Sequence, residues 1–178
     1  MACDIGLGRI EPCKDSLGGL RAVYFSNYRN NLDIQYTSGA GNEDVISELG
    51  GGTLTAYKYE LKGASTFEQT VTSSRENGTT FVEQKLSLDL KKLTIQDHKQ
   101  LRLLAYSRPH IFVEDNNGNI FVAGLMKGMD LVSSTISTGA AMGDMSGYKL
   151  EFSGTEFKPA NFIESGDLSG ALVTIVTG

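Results

Sequence analysis

Residues 73–90, SSRENGTTFVEQKLSLDL, decide the fold. Asn77-Gly78 is a strong turn signal between strands. Beyond it, Val82, Leu86, Leu88 and Leu90 fall on one parity, and Glu83, Lys85, Ser87 and Asp89 on the other. A period of two sends each set to its own face of a strand. The stretch therefore reads as a turn followed by a strand of about nine residues with one dry face and one wet face.

Upstream, Thr55, Tyr57, Tyr59 and Leu61 alternate with Lys58, Glu60 and Lys62, and after Gly63-Ala64 the pattern resumes in Phe67-Glu68-Gln69-Thr70-Val71. These two strands predict a hairpin. Earlier still, Arg21-Ala22-Val23-Tyr24-Phe25 is a short apolar run rich in β formers, which predicts a strand buried on both faces. Between these, Gly39, Gly41, Gly50, Gly51 and Gly52 bracket NEDVISELG. Residues 38–53 read as a flexible excursion holding at most a helical turn or two.

Downstream, one helix is well marked. Thr94 can cap it, Asp97 answers three residues on, and Leu101, Leu104 and Ala105 form a narrow apolar face over Ile95–Tyr106. Pro109 bars continuation, because the residue before proline avoids helical angles. His110-Ile111-Phe112-Val113 and Ile120-Phe121-Val122-Ala123 then flank a second turn at Asn117-Gly118. A second glycine-rich excursion, 137–147, runs into the alternating Tyr148-Lys149-Leu150-Glu151-Phe152, and Ala171–Val176 is a last apolar run. The sum is a mainly β chain of two packed antiparallel sheets, a sandwich or half-open barrel, with one flanking α-helix. Its 178 residues suit a single domain over 1–178.

Composition narrows the function. Forty per cent hydrophobic and 21% charged residues fit a globular chain. A net charge of −5 argues against a surface built to neutralise nucleic-acid phosphates. No window approaches the length of an apolar membrane span, and the N-terminus has no basic segment followed by an apolar core. Synthesis in the cytosol is the expectation. Cys3 and Cys13 are too few for a structural zinc site; they read as reduced thiols, with a small terminal disulfide as the alternative.

Catalytic chemistry finds little to build on. His98 in the first turn of the helix and His110 at a strand start read as surface or partly buried imidazoles. Glu114 and Asp115 are adjacent in a strand, so they point to opposite faces. Asp115-Asn116-Asn117-Gly118-Asn119 has Met126 where a calcium loop needs its bidentate Glu, so it is a turn. The glycines at 6, 8 and 139–147 lack the strand-to-helix context of a phosphate cradle. No catalytic residue, metal ligand or cofactor is expected. Among four clustered methionines, Met126 and Met129 read as core or contact, whereas Met142 and Met145, set among glycines, read as contacts with another subunit.

The order of these segments resembles small structural proteins of bacteriophages, particularly phages of Bacteroidetes. It runs from SSRENGTTFVEQKLSLDL through TIQDHKQLRLLAYSR and PHIFVEDNNGNIFVAGLMKGMDL to STGAAMGDMSGYKLEFSGTEFKPANF. Within that group it is most similar to the tail-tube fold shared by phage tail-tube proteins and the type VI secretion tube protein, over about residues 54–163. The resemblance implies a non-enzymatic virion protein that self-assembles into six-fold rings or a tube. Other tail proteins would be its partners, and DNA would pass without sequence-specific binding. It implies that the loop Arg75-Glu76-Asn77-Gly78 reaches a neighbouring ring. The two glycine-rich segments, with Met142, Asp144 and Met145, would clasp neighbours, and Glu83, Lys85 and Asp89 would face the lumen or a neighbour. An acidic inner wall would keep the genome from sticking. A head-tail connector or capsid-decorating protein is the alternative in that class. A monomeric carbohydrate- or protein-binding sandwich, using Tyr57 and Tyr59, is the alternative outside it.

Overall fold

The computed structural model describes residues 8–39, 44–166, 168–171 and 173–177. The strands β1 (Leu20–Ser26), β2 (Asp33–Tyr36), β3 (Ile46–Gly50), β4 (Leu54–Glu60), β5 (Thr66–Ser74) and β6 (Thr79–Lys91) lead to the helix α1 (Ile95–Tyr106). After it come β7 (His110–Asp115), β8 (Ile120–Ala123), β9 (Asp130–Ser137), β10 (Gly147–Glu156), β11 (Asn161–Phe162) and β12 (Val173–Val176).

A six-stranded sheet, β11-β8-β7-β1-β4-β12, forms the middle of the molecule, and a four-stranded sheet, β5-β6-β10-β9, packs on one face of it. Between them lies a core built from Val23, Phe25, Ile111 and Val113 on one side and Leu86, Leu88, Leu150 and Phe152 on the other. Full burial of such a side chain stabilises by about 1.5–3 kcal/mol. Leu101 and Leu104 of α1 join this core. The opposite face of the six-stranded sheet, with Ala22, Tyr24, Phe112 and Val122, is covered by Ile46 and Leu49 of β3 and by Ile163, Leu168 and Ala171. Both faces of the middle sheet are thus dry, which is why β1 reads as an unbroken apolar run.

The mainly β sandwich with one helix is as the sequence predicts, and so are the β5–β6 and β7–β8 turns and the Thr94 cap, whose Oγ1 accepts the Asp97 N–H at 3.1 Å. Several expectations need correction. β4 and β5 are not a hairpin. β4 pairs with β1 and, in parallel, with β12, while β5 pairs with β6 in the other sheet. Residues 61–65 are a crossover, fixed at its ends by buried Leu61 and buried Ser65. The sheets are therefore not wholly antiparallel, and a third sheet, β2-β3, is added.

The expected loop or helical turn within 38–53 is instead strand β3, with Ile46 and Leu49 fully buried; residues 40–43 of that segment lie outside the described residues. Strand β9 fills much of the stretch before the second glycine-rich loop, which narrows to 138–146.

His110 is also not a surface imidazole. It is fully buried, stacked on Tyr28 at 4.9 Å, with Nδ1 donating to the Gly124 carbonyl at 2.8 Å and Nε2 accepting the Arg29 N–H at 3.0 Å. Burial pushes its pKa below 6.5, more than the neighbouring carbonyls push it up. His98 is exposed on α1, Cys13 is exposed, and Cys3 lies outside the described residues. Met129 is core and Met126 is exposed.

Candidate assembly surface

The four-stranded sheet has one face in the core and one open to solvent. The register sets the open face residue by residue. Glu68 lies opposite Lys85, Lys149 opposite Asp89, Glu151 opposite Ser87 and Thr155 opposite Glu83. On β6 the inward parity is Val82, Gln84, Leu86 and Leu88, all buried, so Glu83, Lys85 and Asp89 stand on the open face as their parity predicts. Lys85 Nζ and Glu83 Oε1 pair at 3.3 Å along the strand. The open face carries the carboxylates Glu68, Glu83, Asp89, Asp130 and Glu151 against the ammonium groups Lys85, Lys91 and Lys149, five against three. Serine and threonine fill most of the rest.

Gln84 interrupts the apolar parity and has a structural task. Its Oε1 accepts the buried Gly124 N–H at 2.9 Å. Nearby, Glu156 is buried and accepts the Met126 and Lys127 N–H groups at 3.1 and 2.8 Å. These bonds hold the turn after β8 against β6 and β10. Glu114 is likewise engaged, accepting the Tyr24 hydroxyl at 2.7 Å and facing Arg21 at 3.5 Å.

The sheet's two ends differ. At one end the β5–β6 hairpin projects past the last pair made by β10, Glu156 with Val82. Its tip, Arg75, Glu76, Asn77 and Gly78, is exposed and turns through Gly78 at φ +61°. Ser74 Oγ accepts the Asn77 N–H at 3.3 Å, and the Ser73 and Thr80 hydroxyls meet at 2.9 Å. Beside the hairpin, Met126 and Phe157 are exposed, with Lys127 Nζ 4.8 Å over the Phe157 ring.

At the other end is the β9–β10 loop. Asp144 Oδ2 accepts the Ala141 and Ala140 N–H groups at 2.8 and 2.9 Å, and those bonds hold its carboxyl below the usual carboxylate range. Gly139, at φ +72°, leaves room for the Asp144 side chain. The loop so formed presents Met142 fully to solvent, while Met145 is half-buried. The hairpin tip and the methionine loop, both sequence candidates for contacts, are thus at opposite ends and never meet within one chain.

Sequence reasoning missed the edges. β5, nine residues, and β9, eight residues, flank the sheet, and no strand among the described residues pairs with the outer side of either. β9 carries a bulge opposite Glu151 and Phe152, and exposes Val132. Its sequence, DLVSSTIS, has no alternation to read. Lys149 and Glu151 were visible in the alternation of β10, but their placement beside Asp89 needs the register.

No protein-family model, curated protein or solved structure matches this chain.

Proposed function

We propose that the chain is a non-enzymatic structural subunit of a phage tail, which assembles with copies of itself into rings or a tube around a channel for DNA. The observation that carries this reading is the four-stranded sheet with two long open edges and a polar open face. Unpaired edge strands are templates for pairing with another chain. Along β5-β6-β10-β9 each neighbour runs antiparallel to the last, so β5 and β9 point in opposite directions. Set beside a copy related by rotation, β9 of one subunit meets β5 of the next with the antiparallel sense preserved. The open faces then share one side of a continuous sheet. A head-to-tail contact of this kind closes into a ring when the rotation closes.

The excess of two carboxylates on that face fits a wall that does not bind DNA phosphates. Met142 at one end, and Phe157, Met126 and the projecting hairpin at the other, fit stacking of one ring on the next. The rival reading as a carbohydrate- or protein-binding module is weakened at its aromatic pair: Tyr59 is half-buried and packs edge-on to core residue Phe25 at 5.1 Å, while Tyr57 is exposed.

The test is mass in solution across a concentration series, with negative-stain imaging, for the wild type and for Val132→Lys. Wild type forms rings or tubes. The variant, charged at an exposed edge position, loses them while its unfolding free energy stays within about 0.5 kcal/mol of wild type. A wild type that stays monomeric at every concentration, or a variant that assembles equally well, overturns the reading.

A further inference from the structure

The two Asn-Gly pairs occupy equivalent places, the tips of hairpins, in unequal surroundings. Asn117 is held on every side. Its Oδ1 accepts the Leu17 N–H at 2.7 Å, and its Nδ2 donates to the Leu17 carbonyl at 2.8 Å and to Asp115 Oδ2 at 3.4 Å. Its own N–H donates to Asp115 Oδ1 at 2.9 Å, and the Gly118 N–H to the Asp115 carbonyl at 3.3 Å. Asn77 has one bond, from its backbone N–H to Ser74 Oγ. Among the described residues its carboxamide has no partner and the Gly78 N–H has none; the space beside the two glycines is equally open, so the hydrogen bonds alone set the pairs apart.

That difference matters for one reaction of the backbone. A glycine after asparagine has no side chain to keep its amide nitrogen from the preceding carboxamide carbon. The amide nitrogen gives up its proton to solvent base and attacks Cγ. The N–Cγ bond forms, the Cγ–Nδ2 bond breaks, and nitrogen leaves as ammonia. Water then opens the cyclic imide at either carbonyl, giving aspartate or isoaspartate; nothing is oxidised or reduced. The attack needs a carboxamide free to rotate and a nucleophile free of other bonds. Asn77-Gly78 offers both, while Leu17 and Asp115 deny both to Asn117-Gly118.

We propose that Asn77 is a site of spontaneous, structure-selected deamidation in the native protein, and that Asn117 is protected from it by the strand lead-in at Leu17. The product places a new carboxylate beside Glu76 and Arg75, and its isoaspartyl form lengthens a turn that spans only residues 75–78. The hairpin tip of an unassembled subunit thereby changes charge and shape with age. This inference rests on the turn geometry and stands whether or not the chain forms rings.

The experiment incubates the monomeric fraction of the purified protein in mildly alkaline buffer. Tryptic peptides are then followed by mass spectrometry, with isoaspartate scored by enzymatic methyl transfer. Peptide 76–85 should convert severalfold faster than the peptide holding Asn117. In urea the two rates should converge, and Leu17→Pro, which removes the N–H donor to Asn117, should speed conversion at Asn117 in the folded protein. Equal rates in the native monomer, or a native Asn77 that stays intact while the unfolded chain converts, would overturn the proposal.

Discussion

Replacing His110 by phenylalanine tests the interior of the fold at its one buried imidazole, and the structure gives the size and the pH dependence of the effect. The ring satisfies the part-buried Arg29 N–H and the buried Gly124 carbonyl. Leaving a buried donor or acceptor unpaired costs about 1–3 kcal/mol each. Phenylalanine retains the stacking on Tyr28, so the loss should be about 2–5 kcal/mol. For a chain of this size, that lowers the thermal midpoint by roughly 2–4 °C per kcal/mol.

The pH dependence separates this role from generic packing. His110 has a folded-state pKa below 6.5, burial being the largest cause, with Arg108 lowering it further and Glu156 opposing. The unfolded chain therefore takes up the proton first as pH falls. The stabilisation is complete above 6.5 and declines by about 1.4 kcal/mol per pH unit until the folded-state pKa is reached. Protonation also turns Nε2 from an acceptor of the Arg29 N–H into a donor, with only the Arg29 carbonyl at 3.3 Å to receive it. Asp115, whose pKa is lowered by its bonds from Asn119 and Asn117 against the effect of burial, loses its contribution only below 3.8, outside this window. Urea midpoints for wild type and His110→Phe, taken about one unit above 6.5 and one to two units below it, decide the matter. A wild type whose stability stays level through the window, or a variant that declines in parallel with it, would refute the reasoning.

Other outcomes test the packing around the candidate surface. Gln84→Ala strands the Gly124 N–H and opens a void beneath β6; a loss of about 2–4 kcal/mol in urea unfolding is expected, and a loss below about 0.5 kcal/mol would deny Gln84 its role. At Gly147 an added Cβ would sit 2.1 Å from the Leu90 carbonyl oxygen, whereas at Gly143 it meets nothing within 4 Å. Gly147→Ala should lower the thermal midpoint sharply and Gly143→Ala should leave it nearly unchanged. Equal effects would contradict the placement of the loop.

What the sequence made legible was what neighbouring residues decide between themselves. The parity of Val82 to Leu90, the two Asn-Gly turns and the Thr94–Asp97 cap are local, and each is found where the pattern puts it. Errors arose where distant groups decide. Val45, Ile46 and Leu49 have helical spacing, yet burial against Ala22, Tyr24 and Phe112 draws the segment into a strand. Lys62-Gly63-Ala64 resembles a hairpin turn, but buried Leu61 and the Ser65 hydroxyl, accepting the Asp89 N–H at 3.2 Å, commit the chain to crossing between sheets. His110 gave no sign of burial because its partners, Tyr28, Arg29 and Gly124, are remote in sequence. Of the candidate contacts, exposure at Arg75–Gly78 and Met142 was readable from glycine and polar texture. The pairing of Asp144 with its own loop was not.

The treatment of edges supplies the strongest argument for association. The six-stranded sheet ends in β11, two residues, and β12, four residues, and both of its faces are covered. The four-stranded sheet ends in strands of nine and eight residues and has one bare face. A soluble monomer ordinarily shortens, charges or covers its edges, because an open ladder pairs with whatever strand it meets. Among the described residues the chain shortens the edges of one sheet, whereas the other keeps long edge strands that carry one charged residue each, Glu68 and Asp130. The open sheet also has the bulge in β9, which interrupts a regular ladder and so restricts the registers a partner strand can take. A bulged edge of that length discourages indiscriminate pairing, which fits the proposal of a subunit that meets its own copies in a fixed register.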